Sequence, residues 1–139
     1  QKVTVSKENV KKTIIRLKAE VKSLDEVFSR YIRRRDCPNG IGRCISCGAL
    51  ISYDTCDAGH YIVRAHTATR WNETNVHAQC RICNRHKYGN PKAYRRRLVE
   101  LYGVEAVKEL ERMKHLTVCL HESDYRELIE YYKTKLNRL

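Results

Sequence analysis

Two Cys-x-x-Cys pairs are the residues of this chain whose type and spacing most directly indicate chemistry. They are Cys44 with Cys47 and Cys80 with Cys83, separated by 32 residues. Two such pairs are typical of a tetrathiolate zinc site, because each pair can contact the metal from a tight turn. Four thiolates complete the tetrahedron and leave no open position, so the pattern predicts a structural Zn²⁺ rather than a catalytic one. Loss of zinc should then unfold the central region.

Three polar residues lie inside or directly beside this predicted zinc clamp. Asp57 and His60 fall between the two cysteine pairs, and Asn84 directly follows the last cysteine. The clamp would therefore bring an acid, a histidine and an amide together. A hydrated Mg²⁺ needs oxygen ligands and few protein groups, and a neutral histidine can accept a proton from an attacking water. This combination is what a metal-dependent nuclease requires.

The charge balance favours a polyanionic partner. The chain carries 28 basic and 16 acidic residues, a formal net charge of +12. Such an excess favours DNA binding through counterion release, although charge alone fits a solvated surface about equally well. Five basic residues within or beside the motif are the predicted contacts for the DNA backbone: Arg64, Arg81, Arg85, Lys87 and Arg95.

Hydrophobic periodicity predicts helices at both ends of the chain and short strands in its middle. Residues 7–22 have apolar positions at helical spacing after an N-cap at Ser6, and a capping box at Ser23 begins a second helix that runs to about Arg35. The predicted strands and short helix of the middle cover residues 50–53, 59–63, 75–77 and 83–86. The predicted C-terminal helices cover residues 93–102, residues 105–113 and a last helix capped by Ser123. These elements predict an α+β fold.

The length fits one domain, in which we distinguish three segments. Residues 1–36 form a basic helical segment, residues 37–90 the zinc-bound core, and residues 91–139 a helical subdomain packed on that core. An apolar stripe on the first segment could form a homodimer interface. Its members are Val10, Ile14, Leu17 and Val21.

The sequence predicts a reduced, cytoplasmic location and no membrane partner. No apolar run is long enough to span a bilayer, and the first residues lack the apolar core of a signal peptide. The seven cysteines are odd in number and four of them fall in the paired motif, which favours zinc over a secreted disulfide framework. Cys37, Cys56 and Cys119 are predicted to be small buried apolar residues.

Four runs of residues together resemble the phage lambda NinG (Rap) recombination endonuclease family, within the HNH or ββα-metal nuclease superfamily. The runs are 44–48, 57–61, 75–80 and 83–90. The resemblance implies a zinc-stapled ββα-metal core flanked by N- and C-terminal helices, in a phage or bacterial intracellular protein. It also implies a structure-specific endonuclease that hydrolyses phosphodiesters in branched recombination intermediates, such as Holliday junctions or D-loop-like DNA.

The resemblance assigns a catalytic role to each of the three polar residues. His60 is the predicted general base, and Asp57 and Asn84 are the predicted ligands of a catalytic Mg²⁺ or Mn²⁺. Many related motifs have a metal ligand directly before the base, where this chain has Gly59. Asp57 is predicted to replace that ligand, because strand alternation puts it on the same face as Gly59.

Each assignment has a structural alternative. His60 could be a structural histidine, Asp57 could cap a turn, and Asn84 could be the N-cap of a short helix. His77 and His86 are second-tier active-site candidates, with a satisfied structural role for His77 equally open. The second-tier candidates for the active site are thus His77, His86 and Asn75. Asn75 is more simply explained as a residue that orders its loop by backbone hydrogen bonds.

Three other functions fit the same sequence features. The first is a non-catalytic, zinc-stabilised DNA-binding module. The second is an HNH nuclease that cuts ordinary duplex DNA, and the third, less favoured, is an RNA-processing nuclease.

Overall fold

Residues 6–139 are described by a computed structural model, and within this range five α-helices surround two short antiparallel hairpins. The helices are α1 Lys7–Asp36, α2 Thr67–Arg70, α3 Pro91–Tyr102, α4 Val104–Met113 and α5 Glu122–Asn137. The strands are β1 Ile41–Arg43, β2 Leu50–Ser52, β3 Asp57–His60 and β4 Val76–Gln79, and a π-helix spans Ile82–His86. Helices combined with small antiparallel sheets are consistent with the predicted α+β class. Residues 1–5 of the predicted first segment lie outside the described range.

Helix α1 is one continuous helix of 30 residues, so the prediction of two helices meeting near Ser23 was wrong. The predicted cap at Ser6 is confirmed, since its Oγ accepts a hydrogen bond from Asn9 N at 3.1 Å. No glycine or proline interrupts the helix, and the stripe that includes Leu17 and Val21 continues into a buried face that packs against α5. Because most helical stability comes from packing such a face, this contact outweighs the capping signal at Ser23.

Strands β3 and β4 form the hairpin that the π-helix directly follows. Its register places Asp57 opposite Gln79 at one end. At the other end His60 lies opposite Val76, so the strand predicted over 59–63 starts earlier and ends at His60. The short helix predicted after the last cysteine pair is present as the π-helix.

Strands β1 and β2 form the other hairpin, of which only β2 was predicted from sequence. β1 has three residues and is too short to show a period-two pattern. Its central Gly42 resembles a turn residue in the sequence but serves packing instead. A Cβ at this position would lie 2.9 Å from Cys37 Sγ, closer than van der Waals contact allows.

Three buried apolar clusters hold these elements together. The first joins α1, β4 and α5, the second surrounds the cysteine pairs, and the third joins α3 and α4 to two residues of the middle of the chain. Helix α1 ends at Asp36 and α3 begins at Pro91, and the division into three segments stays a prediction. The segments nevertheless share a core, because Val76 of β4 packs in the first cluster with residues of both terminal helices.

Two predictions for the C-terminal part of the chain, the cap of α5 and the burial of Cys119, were wrong. The cap of α5 is His121 rather than Ser123: the His121 backbone N–H donates to Asp124 Oδ2 at 2.8 Å, and Ser123 lies inside the helix. Cys119 is exposed, not buried as predicted. Gly103 ends α3 with a φ of 87°, in the role predicted for it. Within residues 6–139, no helix has the length and hydropathy needed to cross a bilayer.

Candidate functional site

The four cysteines of the paired motif converge at one point. Their sulfur atoms all lie within 4.8 Å of one another, and Cys47 Sγ lies 3.8 Å from Cys80 Sγ. The first pair occupies the turn between β1 and β2, where Gly48 adopts a φ of 75° and donates its N–H to Cys44 O at 2.9 Å. The second pair joins β4 to the π-helix, and Cys83 N donates to Cys80 Sγ at 3.3 Å.

This geometry fits a tetrahedral zinc ion. Four sulfurs at about 2.3 Å from a zinc ion are about 3.8 Å from one another. Burial would raise the pKa of the Cys44 thiol, but hydrogen bonds from the backbone N–H groups of Cys47, Cys80 and Ser46 outweigh it and lower that pKa. Backbone donors therefore favour the thiolate at Cys44, whereas burial raises the pKa of the Cys47 and Cys80 thiols. The four cysteines could hold a zinc ion.

An open cleft of about 720 Å³ runs beside β3, between α1 and the π-helix. Asp57, His60 and Asn84 all line it, so the structure brings the three predicted catalytic residues to one surface. Four arginines also line the cleft: Arg33, Arg64, Arg81 and Arg85. Of its three aspartates, Asp25 and Asp57 are already ion-paired with arginines.

The Asp57 carboxylate is held from two sides. Arg85 Nη2 donates to Oδ1 and Nε to Oδ2, each at 2.9 Å, and Asn84 Nδ2 donates to Oδ2 at 2.9 Å. Burial would raise the pKa of the Asp57 carboxyl, but the hydrogen bonds from Arg85 and Asn84 lower it below its usual value. Asp57 is therefore an ionised carboxylate. The side-chain amide beside it, that of Asn84, also carries an oxygen atom.

The hydrogen bond of His60 fixes which ring nitrogen carries the proton. Nε2 lies 2.8 Å from Arg70 O, and because a carbonyl oxygen can only accept, Nε2 must be the donor. Burial lowers the pKa of His60 to about 4, so the ring is neutral near pH 7. Nδ1 is then an unprotonated acceptor with no protein partner among the described residues, on a ring that lines the cleft.

Asp25 of α1 positions the carbonyl that orients His60. Its carboxylate accepts two hydrogen bonds from the Arg70 guanidinium, at 3.1 and 2.6 Å, and a third from Trp71 Nε1 at 3.0 Å. These contacts hold the segment that presents Arg70 O to His60. Sequence reasoning missed Asp25, although an acid directly after Leu24 on the buried side of a helix was a usable signal.

Gly59 is a glycine because Gln79 occupies the space that a side chain would need. A Cβ on Gly59 would overlap Gln79 Oε1 and lie 2.9 Å from Cδ. Gln79 is fully buried and cannot easily move, since its Nε2 donates to Ser46 Oγ at 2.8 Å and to Gly89 O at 2.7 Å. A metal ligand directly before His60 is therefore sterically excluded in this fold.

The packing of Gly59 against Gln79 makes a specific prediction. Gly59→Ala should lower the free energy of unfolding by about 1–3 kcal/mol, the usual effect of overpacking a core. In a Gln79→Ala background the same substitution should have a much smaller effect, because the obstructing amide is gone. Urea unfolding of the wild type, both single variants and the double variant measures this coupling. Strict additivity would contradict the steric explanation.

The second-tier candidates do not join the cleft. His77 is buried on the other side of the hairpin, with Nε2 2.7 Å from the Tyr102 hydroxyl. Asn75 is buried and orders its loop: Oδ1 accepts from Ile62 N at 2.7 Å and Nδ2 donates to Ile62 O at 2.9 Å. His86 is exposed at the end of the π-helix.

Two of the five predicted DNA contacts, Lys87 and Arg95, are not among the residues that line the cleft. Lys87 is exposed beyond the π-helix, and Arg95 forms an ion pair with Glu111 at 2.9 Å that joins α3 to α4. The other three predicted DNA contacts do line the cleft: Arg64, Arg81 and Arg85.

The buried His77 predicts an acid-sensitive stability. Burial lowers its pKa to about 4, below the unfolded value of about 6.5, so the unfolded chain binds more protons between these two values. Its contribution is complete above about pH 6.5 and is lost as the pH falls toward 4, by up to about 3 kcal/mol. His77→Gln should reduce the slope of the unfolding free energy with pH in this window, and the remaining slope includes the contribution of His60, whose pKa burial also lowers to about 4. The exposed His115→Gln should leave the slope unchanged, and equal slopes for His77→Gln and wild type would contradict the prediction.

The family model and the similar proteins found by comparison point to the same family. The family model described as Bacteriophage Lambda NinG protein matches residues 1–139. Protein ninG of Escherichia phage lambda is 44% identical over 92 residues, and its counterparts in Salmonella phage P22 and Escherichia phage 933W are 42% identical over 92 residues. The alignments cover 66% of this chain and 43%, 43% and 44% of the relatives, so the chain spans less than half of their length. No solved structure matches the chain.

Proposed function

The chain belongs to the NinG family of phage lambda, and from this premise we propose that it is a metal-dependent DNA endonuclease that cuts branched recombination intermediates. The observation that carries the proposal is the state of His60. A neutral imidazole, oriented by Arg70 O, presents an unprotonated Nδ1 to a cleft that also contains a carboxylate and four arginines. A positioned neutral base beside phosphate-binding groups is what phosphodiester hydrolysis needs.

His60 would take the proton of the attacking water on Nδ1. Its Nε2–H remains bonded to Arg70 O throughout, so the ring keeps its orientation as charge develops on it. Asp25 supports that orientation through Arg70.

Asp57 and Asn84 would hold a catalytic Mg²⁺ or Mn²⁺. The two carboxylate oxygens and the amide oxygen are the hard donors that such ions prefer, and the Asn84–Asp57 hydrogen bond holds the two side chains together. When bound, the ion would stabilise negative charge on the scissile phosphate and on the leaving oxygen. Arg85 shares the Asp57 carboxylate, so we expect metal binding to release part of this bidentate ion pair for contact with phosphate.

The local topology supports placing the site in the HNH or ββα-metal superfamily. The β3–β4 hairpin is followed directly by the π-helix, with His60 on the first strand and Asn84 on the helix. The cysteine cluster fixes the junction between hairpin and helix. This arrangement is the ββα order that the superfamily uses.

Cleavage of a defined substrate panel tests the proposal. An end-labelled four-way junction, a linear duplex with the same arm sequences, and an RNA duplex are incubated with protein and Mg²⁺ or Mn²⁺. We expect nicks near the branch of the junction and at least tenfold slower cleavage of the linear duplex. Equal cleavage of junction and duplex would favour an ordinary HNH duplex nuclease. Preferred cleavage of RNA would replace the DNA assignment.

A non-catalytic, zinc-stabilised DNA-binding module is the second candidate, and the Asp57 ion pair favours it. With Arg85 and Asn84 on both carboxylate oxygens, Asp57 is fully satisfied without a metal. In that case the protein would bind the junction but leave it intact with Mg²⁺, Mn²⁺, Co²⁺ and Ni²⁺ alike. Binding without cleavage under all four metals would establish this candidate over the nuclease.

A homodimer remains a further proposal for cutting two strands of a junction. Leu17 and Val21 of the predicted interface are half-buried against the first apolar cluster, whereas Val10 and Ile14 are 44% and 46% exposed. The outer half of α1 is thus what a second copy could cover. Light scattering would measure the oligomeric state of the wild type and of a double variant that combines Val10→Glu and Ile14→Glu. A monomer mass for both proteins would exclude this interface.

A further inference from the structure

Tyr88 is the most exposed of the large apolar and aromatic side chains in the described range, at 92%. It lines the cleft beside Arg85 and Gly89. No ring–ring or cation–π contact among the described residues involves Tyr88. A large ring at the edge of an arginine-lined cleft, with nothing packed on it, calls for an explanation.

The backbone under Tyr88 is strained. Its φ is 51°, in the left-handed region, and Gly89 and Asn90 follow with φ of 88° and 44°. Glycine adopts this conformation at no steric cost and asparagine at little, whereas a bulky aromatic residue rarely occurs there. If the position served only to end the π-helix, glycine or asparagine would do so with less strain. A tyrosine at this position therefore carries backbone strain that the turn itself does not require.

The turn around Tyr88 is fixed by its surroundings. Gly89 N donates to Cys83 O at 2.9 Å, and Gln79 Nε2 donates to Gly89 O at 2.7 Å. Asn90 Nδ2 reaches Cys83 Sγ at 3.4 Å. Because Cys83 belongs to the cysteine cluster, the turn is attached to the zinc site. The aromatic ring is thus presented from a rigid support, which limits the entropy lost when it binds something.

We propose that Tyr88 stacks on an unpaired nucleobase at a DNA branch and so sets the preference for branched substrates. This inference rests on the proposed nuclease function and adds the group that recognises the branch. Every base offers an aromatic face, so stacking needs no particular sequence. Arg81 and Arg64, also on the cleft, are placed to contact the phosphates that flank such a base. A fully paired linear duplex offers no free face to the ring.

Binding measurements in a His60→Ala background test the proposal without cleavage. The probes are a four-way junction that carries one unpaired 2-aminopurine at the branch and a fully paired linear duplex of matched arm sequence. Tyr88→Gly should weaken junction binding by about fivefold to 150-fold, the equivalent of ~1–3 kcal/mol for one stacked base. It should also remove the stacking quench of 2-aminopurine and leave duplex binding within about twofold. Tyr88→Trp should retain both the affinity and the quench.

Two further variants separate recognition from folding. Tyr88→Asn suits the left-handed backbone and should match Tyr88→Gly in its binding defect, and both should melt at the temperature of the parent or above it. Tyr131→Ala removes a 53% exposed tyrosine on α5 and should leave junction binding unchanged.

The outcomes distinguish this inference from the proposed function. If the parent binds neither DNA, the proposed function fails and the inference fails with it. If the parent binds the junction but Tyr88→Gly binds it equally tightly, the stacking role is overturned while the nuclease proposal stands. An equal loss on junction and duplex would also overturn it, because a base exposed only at a branch cannot explain that result.

Discussion

Replacing Cys83 with serine is expected to unfold the centre of the protein. The apparent binding free energy of a structural zinc site is about 10–16 kcal/mol near neutral pH, whereas a typical domain is stable by only about 5–15 kcal/mol. Cys83 is 1% exposed and connects the cysteine cluster to both the π-helix and the Tyr88 turn. Loss of one ligand should therefore disorganise the second buried cluster and the cleft beside it.

Cys119→Ser provides the matched control, because Cys119 is an exposed thiol outside the cysteine cluster. Zinc content and thermal unfolding followed by circular dichroism should show about one zinc per chain in wild type and Cys119→Ser. Cys83→Ser should hold much less zinc and lose its cooperative transition. Signal from α1 and α5 should partly remain, since their shared cluster contains none of the four cysteines. A Cys83→Ser protein that melts like wild type would show that the cluster is not a structural metal site.

His60→Ala is expected to reduce the rate of DNA cleavage by about 10²- to 10⁴-fold, the usual contribution of a general base. Zinc content and junction affinity should stay close to wild type, because the ring makes one hydrogen bond, to Arg70 O, and belongs to none of the three buried clusters. Single-turnover cleavage isolates the chemical step from product release.

The control for His60 is His115→Ala, which removes an exposed histidine on the connection between α4 and α5 and should cleave at the wild-type rate. If His60→Ala retains wild-type single-turnover cleavage, His60 is structural and the site assignment is wrong. If it loses zinc or junction affinity together with activity, the lost rate reports folding rather than proton transfer.

The residues predicted from sequence belong to short motifs that can be recognised locally, even where their partners lie far along the chain. The cysteine pairs and Asn84 carry their meaning in spacings of a few residues, and the sulfur atoms do converge. Gly103, which follows the last residue of α3, was also predictable, because the residues that end a helix lie next to one another in the chain. Asp57, His60 and Asn84 do line one cleft, although their catalytic roles remain predictions.

What sequence could not provide depends on contacts between distant residues. Asp25 reaches Arg70 across 45 positions. Its place beside the buried Leu24 indicates that it needs a partner, but nothing near it in the chain identifies that partner as Arg70. The requirement for Gly59 comes from Gln79 on the paired strand, so it depends on the strand register. Helix α1 is continuous for the same kind of reason: its packing on α5 overrides a local capping signal at Ser23.

The hydrogen bonds from Arg70 and Trp71 to Asp25 have a consequence for how short motif matches are used. The four runs that carry the resemblance to a zinc-supported nuclease lie between Cys44 and Asn90, and Arg70 O, which orients the histidine, lies among them. The Asp25 carboxylate that holds Arg70 lies outside this stretch, on α1. A protein that shares only that stretch shares the cysteine cluster and the imidazole but not the carboxylate that holds the histidine's hydrogen-bond partner in place. Whether a relative shares the proposed activity should therefore be judged by an acid on the preceding helix as well as by the motif.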